Sequence, residues 1–220
     1  MKAAIVVRII LTLLLFGIII FVPYGSLYWP EAWILFGIFF IYMFLSLPWF
    51  LKNNPELIEN RMTYTPTEGS DRLFTALAGF DFFIFFILIG LDAGQLKIAP
   101  VPDWGKLIGF MGISISLVFI FLTLRENTFA SRIIEVQEDQ QVISSGPYSL
   151  VRHPFYLGVI LLTGSIPLAL GSFLGYIPWI IFALLFVYRI KVEEAFLTKE
   201  LKGYKEYRKK VPKRLIPLIW

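Results

Sequence analysis

The chain contains no cysteine and a single histidine, His153. Without cysteine, disulfide bonds, thiolate metal centres and a cysteine nucleophile are excluded. The sequence also lacks a Gly-x-Gly-x-x-Gly turn after a strand, a Walker motif, the His/acid spacing of a metal site and a Ser elbow. A conventional nucleotide-binding domain is therefore not expected, and neither is a catalytic metal.

Charged residues make up only 16% of the 220 residues, whereas hydrophobic residues make up 57%, and the mean hydropathy is +0.73. The apolar residues fall in runs of about 20, the length that crosses the hydrocarbon core of a bilayer. We expect an all-α integral membrane protein with a C-terminal helical hairpin and an amphipathic tail helix over 191–210. Six spans are predicted, at about residues 3–22, 31–50, 73–91, 105–124, 155–171 and 173–190. We divide the chain into N-terminal membrane helices (1–124) and a functional core (125–220).

The positions of the basic residues predict the orientation. With six spans and a cytoplasmic N-terminus, eighteen of the twenty Lys and Arg residues lie inside, and only Lys97 and Lys106 lie outside. This distribution follows the positive-inside rule and predicts that both termini are cytoplasmic, as expected of a multi-pass protein of a prokaryotic cell membrane. The basic tail is typical of contact with anionic lipids, and no nucleic-acid partner is expected.

Two polar clusters lie at the ends of the last two predicted spans. Arg152 and His153 stand beside Pro154 before one span, and Arg189, Glu193 and Glu194 follow on the other. Polar groups at membrane helix ends are costly unless something binds them, so the clusters predict one site facing the cytoplasm.

Their positions on one helix predict that Glu193 and Glu194 have different surroundings. Glu193 and Glu194 point about 100° apart, so we expect one of them to face a ligand and the other to pair with a cation or cap the helix. Arg189 shares the face of Glu193 one turn earlier. Asp81 falls in the middle of the third span, where an acid is either functional or hydrogen-bonded to a neighbouring helix.

These motifs resemble a known family. Gln140-Gln-Val-Ile-Ser-Ser-Gly-Pro-Tyr148, Arg152-His-Pro-Phe-Tyr156-x-Gly158, Glu193-Glu194 and Tyr204-x-x-Tyr207-x-x-x-Val211-Pro212 look like the isoprenylcysteine carboxyl methyltransferase family. That family shares its core with membrane phospholipid methyltransferases, and the resemblance covers about residues 125–214. It implies that S-adenosylmethionine binds at the cytoplasmic ends of the last helices. It also implies that a lipophilic small molecule or lipidated acceptor enters from the bilayer.

The resemblance also implies roles for individual residues. The implied cofactor contacts are Gln137, Gln140, Ile143, Tyr148, His153, Pro154, Phe155, Tyr156, Glu193 and Glu194. Glu193 would hold the amino group of the cofactor, Arg189 would meet an anionic group of the acceptor, and Arg152 completes the catalytic set. Gln140 departs from the pattern, since the eukaryotic enzymes have histidine there. A carboxylate, thiol or amine acceptor all remain open; an amine would need a base, such as His153 or Glu194.

Two other functions fit part of the sequence. Sterol-reductase-like enzymes that use NADPH share an Arg-His-Pro-x-Tyr-x-Gly stretch and a tail like Tyr204 to Trp220, but they are about twice as long and lack the Glu-Glu pair. A non-enzymatic lipid-binding or scaffolding membrane protein is the third possibility. The sequence leaves the identity of the acceptor and the oligomeric state open.

Overall fold

A computed structural model describes residues 14–62, 69–130, 134–137 and 139–220. These residues form helices and connecting segments, and the only β-type pairing among them is one isolated bridge between Pro100 and Ser172. The helices are α1 (Leu14–Tyr24), α2 (Pro30–Asn53), α3 (Pro55–Met62), α4 (Gly69–Leu91), α5 (Asp103–Glu126), α6 (Pro154–Leu170), α7 (Tyr176–Glu200) and α8 (Tyr204–Lys210). Short π-helical and 3-10 turns lie at Asp92–Leu96, Gly146–Ser149 and Phe173–Gly175.

Within the described residues, four helical segments are long and apolar enough to cross a membrane: Pro30–Asn53, Asp71–Leu96, Asp103–Glu126 and Phe173–Glu200. Large apolar side chains on these segments are exposed, including Phe40 and Phe44 of α2, both 70% exposed, as expected where helices face lipid. The prediction of an all-α, multi-pass integral membrane protein is confirmed.

Two shorter apolar helices, Leu14–Tyr24 and Pro154–Leu170, coincide with the first and fifth predicted spans. Residues 3–13 of the first predicted span lie outside the described residues. The count of six spans and the cytoplasmic termini remain predictions.

The tail does not form the continuous helix over 191–210 that the amphipathic pattern predicts. Helix α7 ends at Glu200, and Gly203 adopts a left-handed conformation with φ of +87° before α8 begins. A residue without a β-carbon is favoured in this conformation, so the chain turns here instead of continuing the helix. The turn packs Tyr204 and Tyr207 of α8 into a small apolar cluster with Leu201 and Tyr148.

Helices α5 and α6 pack along each other with very close backbones. A β-carbon added to Gly109 would lie 2.3 Å from the backbone nitrogen of Ala169, and one added to Gly158 would lie 2.7 Å from a side-chain carbon of Ile120. Small residues allow this approach between membrane helices, where van der Waals contact stabilises the pair. Helix α6, which begins with the Arg152-His153-Pro154 motif, is thereby held against α5.

Buried Asp92 connects the other ends of the helices. Its carboxylate accepts hydrogen bonds from the backbone nitrogens of Ile98 (2.7 Å) and Ala99 (3.2 Å) and from the hydroxyl of Ser172. Because Ser172 lies in the turn between α6 and α7, this one side chain fixes the end of α4 to the hairpin.

Candidate functional site

The segment that follows α8 is hydrogen-bonded to the backbone just before α6. The backbone nitrogen of Arg152 donates to the carbonyl of Lys213 (3.0 Å), and that of His153 donates to the carbonyl of Arg214 (2.8 Å). Pro154 then begins α6, where its missing N–H leaves no unsatisfied donor. The C-terminal segment therefore positions the motif that the sequence singles out.

Glu194 lies at the centre of a buried cluster of charges. One carboxylate oxygen accepts from Arg152 Nε at 2.6 Å and lies 3.3 Å from His153 Nε2, and the other accepts from Arg214 Nε at 2.8 Å. Arg152 also donates to the carbonyl of Val211 at 2.7 Å. A buried carboxylate is tolerated only with such partners, so Glu194 joins α7, the start of α6 and the tail.

Glu193 has different surroundings, although it is the adjacent residue. The hydroxyl of Tyr156 donates to its Oε2 at 2.6 Å, and Arg189 Nε donates to the same hydroxyl at 3.1 Å. Arg189 Nη1 in turn donates to Asp71 Oδ1 at 2.8 Å, and its guanidinium lies 4.5 Å from the ring centre of Phe74. A chain of contacts thus runs from α4 through Arg189 and Tyr156 to Glu193.

A cavity of about 860 Å³, counting its open mouth, lies between the connector after α5, the start of α6, the end of α7 and α8. The lining residues are Asn127, Phe129, Ala130, Ile134, Glu135, Gln140, Gln141, Val142, Ile143, Tyr148, Arg152, His153, Phe155, Tyr156, Glu193, Leu197, Leu201, Tyr204 and Tyr207.

The cavity brings together most of the residues that the sequence predicts for the site. Those that line it are Gln140, Ile143, Tyr148, Arg152, His153, Phe155, Tyr156 and Glu193, whereas Gln137, Pro154, Arg189 and Glu194 lie outside its lining. The Gln137 backbone nitrogen donates to Gln140 Oε1 at 2.8 Å, so it supports a lining residue. The roles assigned to these residues remain predictions.

Sequence reasoning missed several contributors. Tyr204 and Tyr207 line the cavity, and their spacing was recognised as part of a motif without a role being assigned. Asn127 donates to the hydroxyl of Tyr148 at 3.0 Å, and the Tyr207 hydroxyl donates to the Tyr148 carbonyl at 2.7 Å. Asp71 was missed because it precedes its partner Arg189 by 118 residues, a separation without a local signal.

The tyrosines of the cavity stay neutral near physiological pH. Burial raises the pKa of Tyr148 to about 12. Burial also raises the pKa values of Tyr204 and Tyr207 well above the ordinary value. These hydroxyls therefore serve as hydrogen-bonding groups and not as ionised bases.

Comparison with known proteins identifies a family match in the same part of the chain. Residues 107–199 match the model of the isoprenylcysteine carboxyl methyltransferase (ICMT) family, so the resemblance inferred from the motifs is confirmed. The match covers most of α5, the connector, α6 and nearly all of α7, which are the elements that carry most of the cavity. It places an ICMT family domain in an integral membrane protein and, at the level of the family, implies a methyltransferase-like enzyme.

Individual relatives include two kinds of enzyme. The chain is 37% identical over 84 residues to Delta(14)-sterol reductase TM7SF2 of Mus musculus (37% of this chain, 20% of the relative). It is 32% identical over 93 residues to Delta(14)-sterol reductase of Methylotuvimicrobium alcaliphilum (41% and 22%). It is 37% identical over 87 residues to Protein-S-isoprenylcysteine O-methyltransferase of Schizosaccharomyces pombe (37% and 35%). The chain thus spans about a fifth to a third of the length of these curated relatives.

Proposed function

We propose that the protein is an integral membrane methyltransferase that transfers a methyl group from S-adenosylmethionine to a lipophilic acceptor entering from the bilayer. The ICMT family match supports this reaction class. The observation that carries the choice of cofactor is the charge of the cavity, since the one arginine on its described lining is already paired with Glu194.

Four described lining residues are charged or can become so: Glu135, Glu193, Arg152 and His153. Arg152 is already engaged by Glu194, and the ring nitrogen of His153 lies beside the same carboxylate. The described lining therefore offers the carboxylate of Glu193 to a ligand and little uncommitted positive charge. A cofactor with an ammonium and a sulfonium fits this field, whereas the phosphates of NADPH call for arginine or lysine.

The described residues also fit the cofactor's other groups. Glu193 would hold the ammonium, because its carboxylate lines the cavity and receives a hydrogen bond from Tyr156. The rings of Tyr148, Phe155 and Tyr156 supply faces on which a sulfonium is favourable. The hydroxyl of Tyr204 is buried and has no hydrogen-bond partner within the described chain, so a bound molecule would satisfy it.

S-adenosylmethionine supplies an activated methyl group, which a nucleophile takes by in-line displacement. The protein's contribution is alignment of the two reactants and exclusion of water. Tyr156 is placed to do both, since it stacks parallel to His153 with ring centres 5.5 Å apart and contacts both Glu193 and Arg189. The apolar side chains of Leu197 and Leu201 close the same cavity against solvent.

The acceptor is expected near Arg189. The positive charge of its guanidinium, which donates to Tyr156 and Asp71, would attract an anionic acceptor. A carboxylate, a thiol and an amine all remain candidates. An assay of methyl transfer to extracted lipids, prenylated thiols and small thiols would identify the class.

The second candidate function is an NADPH-dependent reductase, because two of the relatives are sterol reductases. Thermal unfolding of the detergent-purified protein separates the candidates, since a specific ligand raises the unfolding midpoint by mass action. We expect S-adenosylhomocysteine to stabilise the protein in a saturable manner. Stabilisation by NADPH instead would establish the reductase, and stabilisation by neither would favour a lipid-binding or scaffolding protein.

A further inference from the structure

A second cavity lies deeper along the helices, beside the side chain of Asp81. Counting its open mouth, it occupies about 320 Å³ between α4, α6 and α7. Asp81 follows Asp71 by ten residues of α4, which is about 15 Å along the helix axis, so the cavity lies about half a membrane thickness from the Arg189 contact. The cavity is lined by Asp81, Phe82, Phe85, Phe86, Thr163, Ile166, Trp179 and Phe182.

Asp81 is the one lining residue whose polar group has no partner among the described residues. It is 6% exposed, and no described side chain or backbone group donates a hydrogen bond to it or forms an ion pair with it. The other two polar side chains are satisfied within their own hairpin: Thr163 Oγ1 donates to the carbonyl of Val159 (2.8 Å), and Trp179 Nε1 donates to that of Ile160 (3.1 Å). A buried carboxyl group at membrane depth is costly unless a partner meets it.

The remaining lining is aromatic. Five aromatic side chains line the cavity together with Asp81, those of Phe82, Phe85, Phe86, Trp179 and Phe182. Phe86 packs edge-to-face against both Phe82 (4.9 Å) and Phe85 (5.0 Å). Aromatic rings combined with one carboxylate are the groups that recognise an ammonium ion, because ring faces and the carboxylate both attract positive charge.

We propose that this Asp81 cavity binds a lipophilic amine, with the ammonium at the carboxylate and the alkyl chain between the helices. An alkyl alcohol or fatty acid fits less well: the alcohol leaves the carboxylate charge uncompensated, and the acid adds a second negative charge. Amine-bearing phospholipids are excluded as occupants by the depth of the cavity, because their charged phosphate stays at the bilayer surface, whereas an alkylamine reaches the site in its neutral form and takes up the proton of the carboxyl group there.

The Asp81 cavity is separate from the candidate cofactor cavity. Phe186 lies between them, with its ring 5.0 Å from that of Phe182 on one side and 5.0 Å from that of Tyr156 on the other. The proposal therefore does not rest on methyl transfer, and it can hold or fail independently of it.

The test uses the full chain in phosphatidylcholine nanodiscs, which contain no primary amine. Dodecylamine, dodecanol and dodecanoate are added in turn, and the thermal unfolding midpoint is followed together with quenching of tryptophan fluorescence by a brominated alkylamine. We expect saturable stabilisation by the amine alone. The saturable part of the quenching should disappear in Trp179→Phe, because Trp179 lines the cavity, whereas quenching of exposed tryptophans such as Trp33 and Trp104 should remain.

Three variants decide the assignment. Asp81→Asn keeps the shape and removes the charge, and it should weaken amine binding by at least about tenfold while leaving S-adenosylhomocysteine binding intact. Thr163→Phe fills the cavity and retains Asp81, so it gives a second answer if Asp81→Asn does not fold. Glu193→Gln should lose cofactor binding and keep amine binding, which separates failure of this proposal from failure of the proposed function.

The proposal is overturned if the three dodecyl compounds act alike. It is also overturned if amine binding survives in folded Asp81→Asn or in Thr163→Phe.

Discussion

Replacing each of the two adjacent glutamates by glutamine should produce different defects. Glu193→Gln should weaken cofactor binding, whereas Glu194→Gln should destabilise the fold. Glu193→Gln keeps an acceptor for the Tyr156 hydroxyl and removes the charge that faces the cavity. Glu194→Gln removes the charge on which Arg152 and Arg214 converge. The substitutions are chemically identical and one residue apart, so each serves as the matched control for the other.

The expected magnitudes differ because the surroundings differ. A hydrogen bond to a charged group contributes about 1.5–3 kcal/mol, so Glu193→Gln should lower the affinity for S-adenosylhomocysteine by roughly 10- to 150-fold. Its effect on stability should be small. Removing one member of a buried ionic cluster costs about 3–5 kcal/mol. Glu194 is only 3% exposed, so Glu194→Gln should lower the free energy of unfolding by an amount on that scale.

Isothermal titration with S-adenosylhomocysteine measures the affinities, and thermal unfolding in detergent measures the stabilities. The assignment of roles is refuted if Glu193→Gln titrates like the wild type. It is also refuted if Glu194→Gln unfolds at the wild-type temperature while losing cofactor affinity, because Glu194 would then be the residue that meets the cofactor.

Four further outcomes follow from the structure. Tyr204→Phe should weaken S-adenosylhomocysteine binding by roughly 2- to 10-fold in titration, and the ligand-free protein should be no less stable, since the hydroxyl has no partner there. Arg189→Ala should abolish methyl transfer and leave S-adenosylhomocysteine binding largely intact; a loss as severe as that of Glu193→Gln would place Arg189 in the cofactor site. Gly109→Leu should lower stability by about 1–3 kcal/mol or more in thermal unfolding, because its side chain would meet the backbone of α6. A reporter fused after Trp220 should locate the C-terminus in the cytoplasm, and an external location would contradict the six-span topology.

The helical, multi-pass fold was predictable because its signal is local. Each long apolar run must satisfy its own backbone within a helix in the bilayer, so run length alone predicts the element. The break at Gly203 is not predicted for a related reason. The amphipathic spacing of residues 191–210 continues across this glycine, so the local pattern indicates one helix. The structure shows that this glycine takes a conformation that other residues rarely adopt.

The sequence predicts most of the residues that line the candidate site, but it does not predict which side chains contact each other. Two polar clusters at helix ends indicated one cavity, and eight of the predicted residues line it. The partner of Arg189 could not be found from spacing, because Asp71 lies at the start of α4, outside the ICMT match. Tyr204 and Tyr207 reach the cavity only because the chain turns at Gly203, a tertiary feature that no periodicity encodes.

The position of Asp71 changes what Arg189 can do. The guanidinium contacts Asp71 on one side and the Tyr156 hydroxyl on the other, and that hydroxyl donates to Glu193. An acceptor anion that draws Arg189 toward the cavity would compete with Asp71 and shift the hydrogen bond to Tyr156. Because Tyr156 also orients Glu193, acceptor and cofactor would then affect each other's affinity through this one hydroxyl, and coupling of this kind is reciprocal.

Tyr156→Phe should therefore reduce the dependence of cofactor affinity on acceptor, beyond any loss in cofactor affinity itself. A double-mutant cycle of Tyr156→Phe with Asp71→Asn, titrated with S-adenosylhomocysteine, measures the part of this coupling that runs from Asp71 to the cofactor site. If the two substitutions act additively, Asp71 merely neutralises Arg189, and the two ends of the chain of contacts are independent.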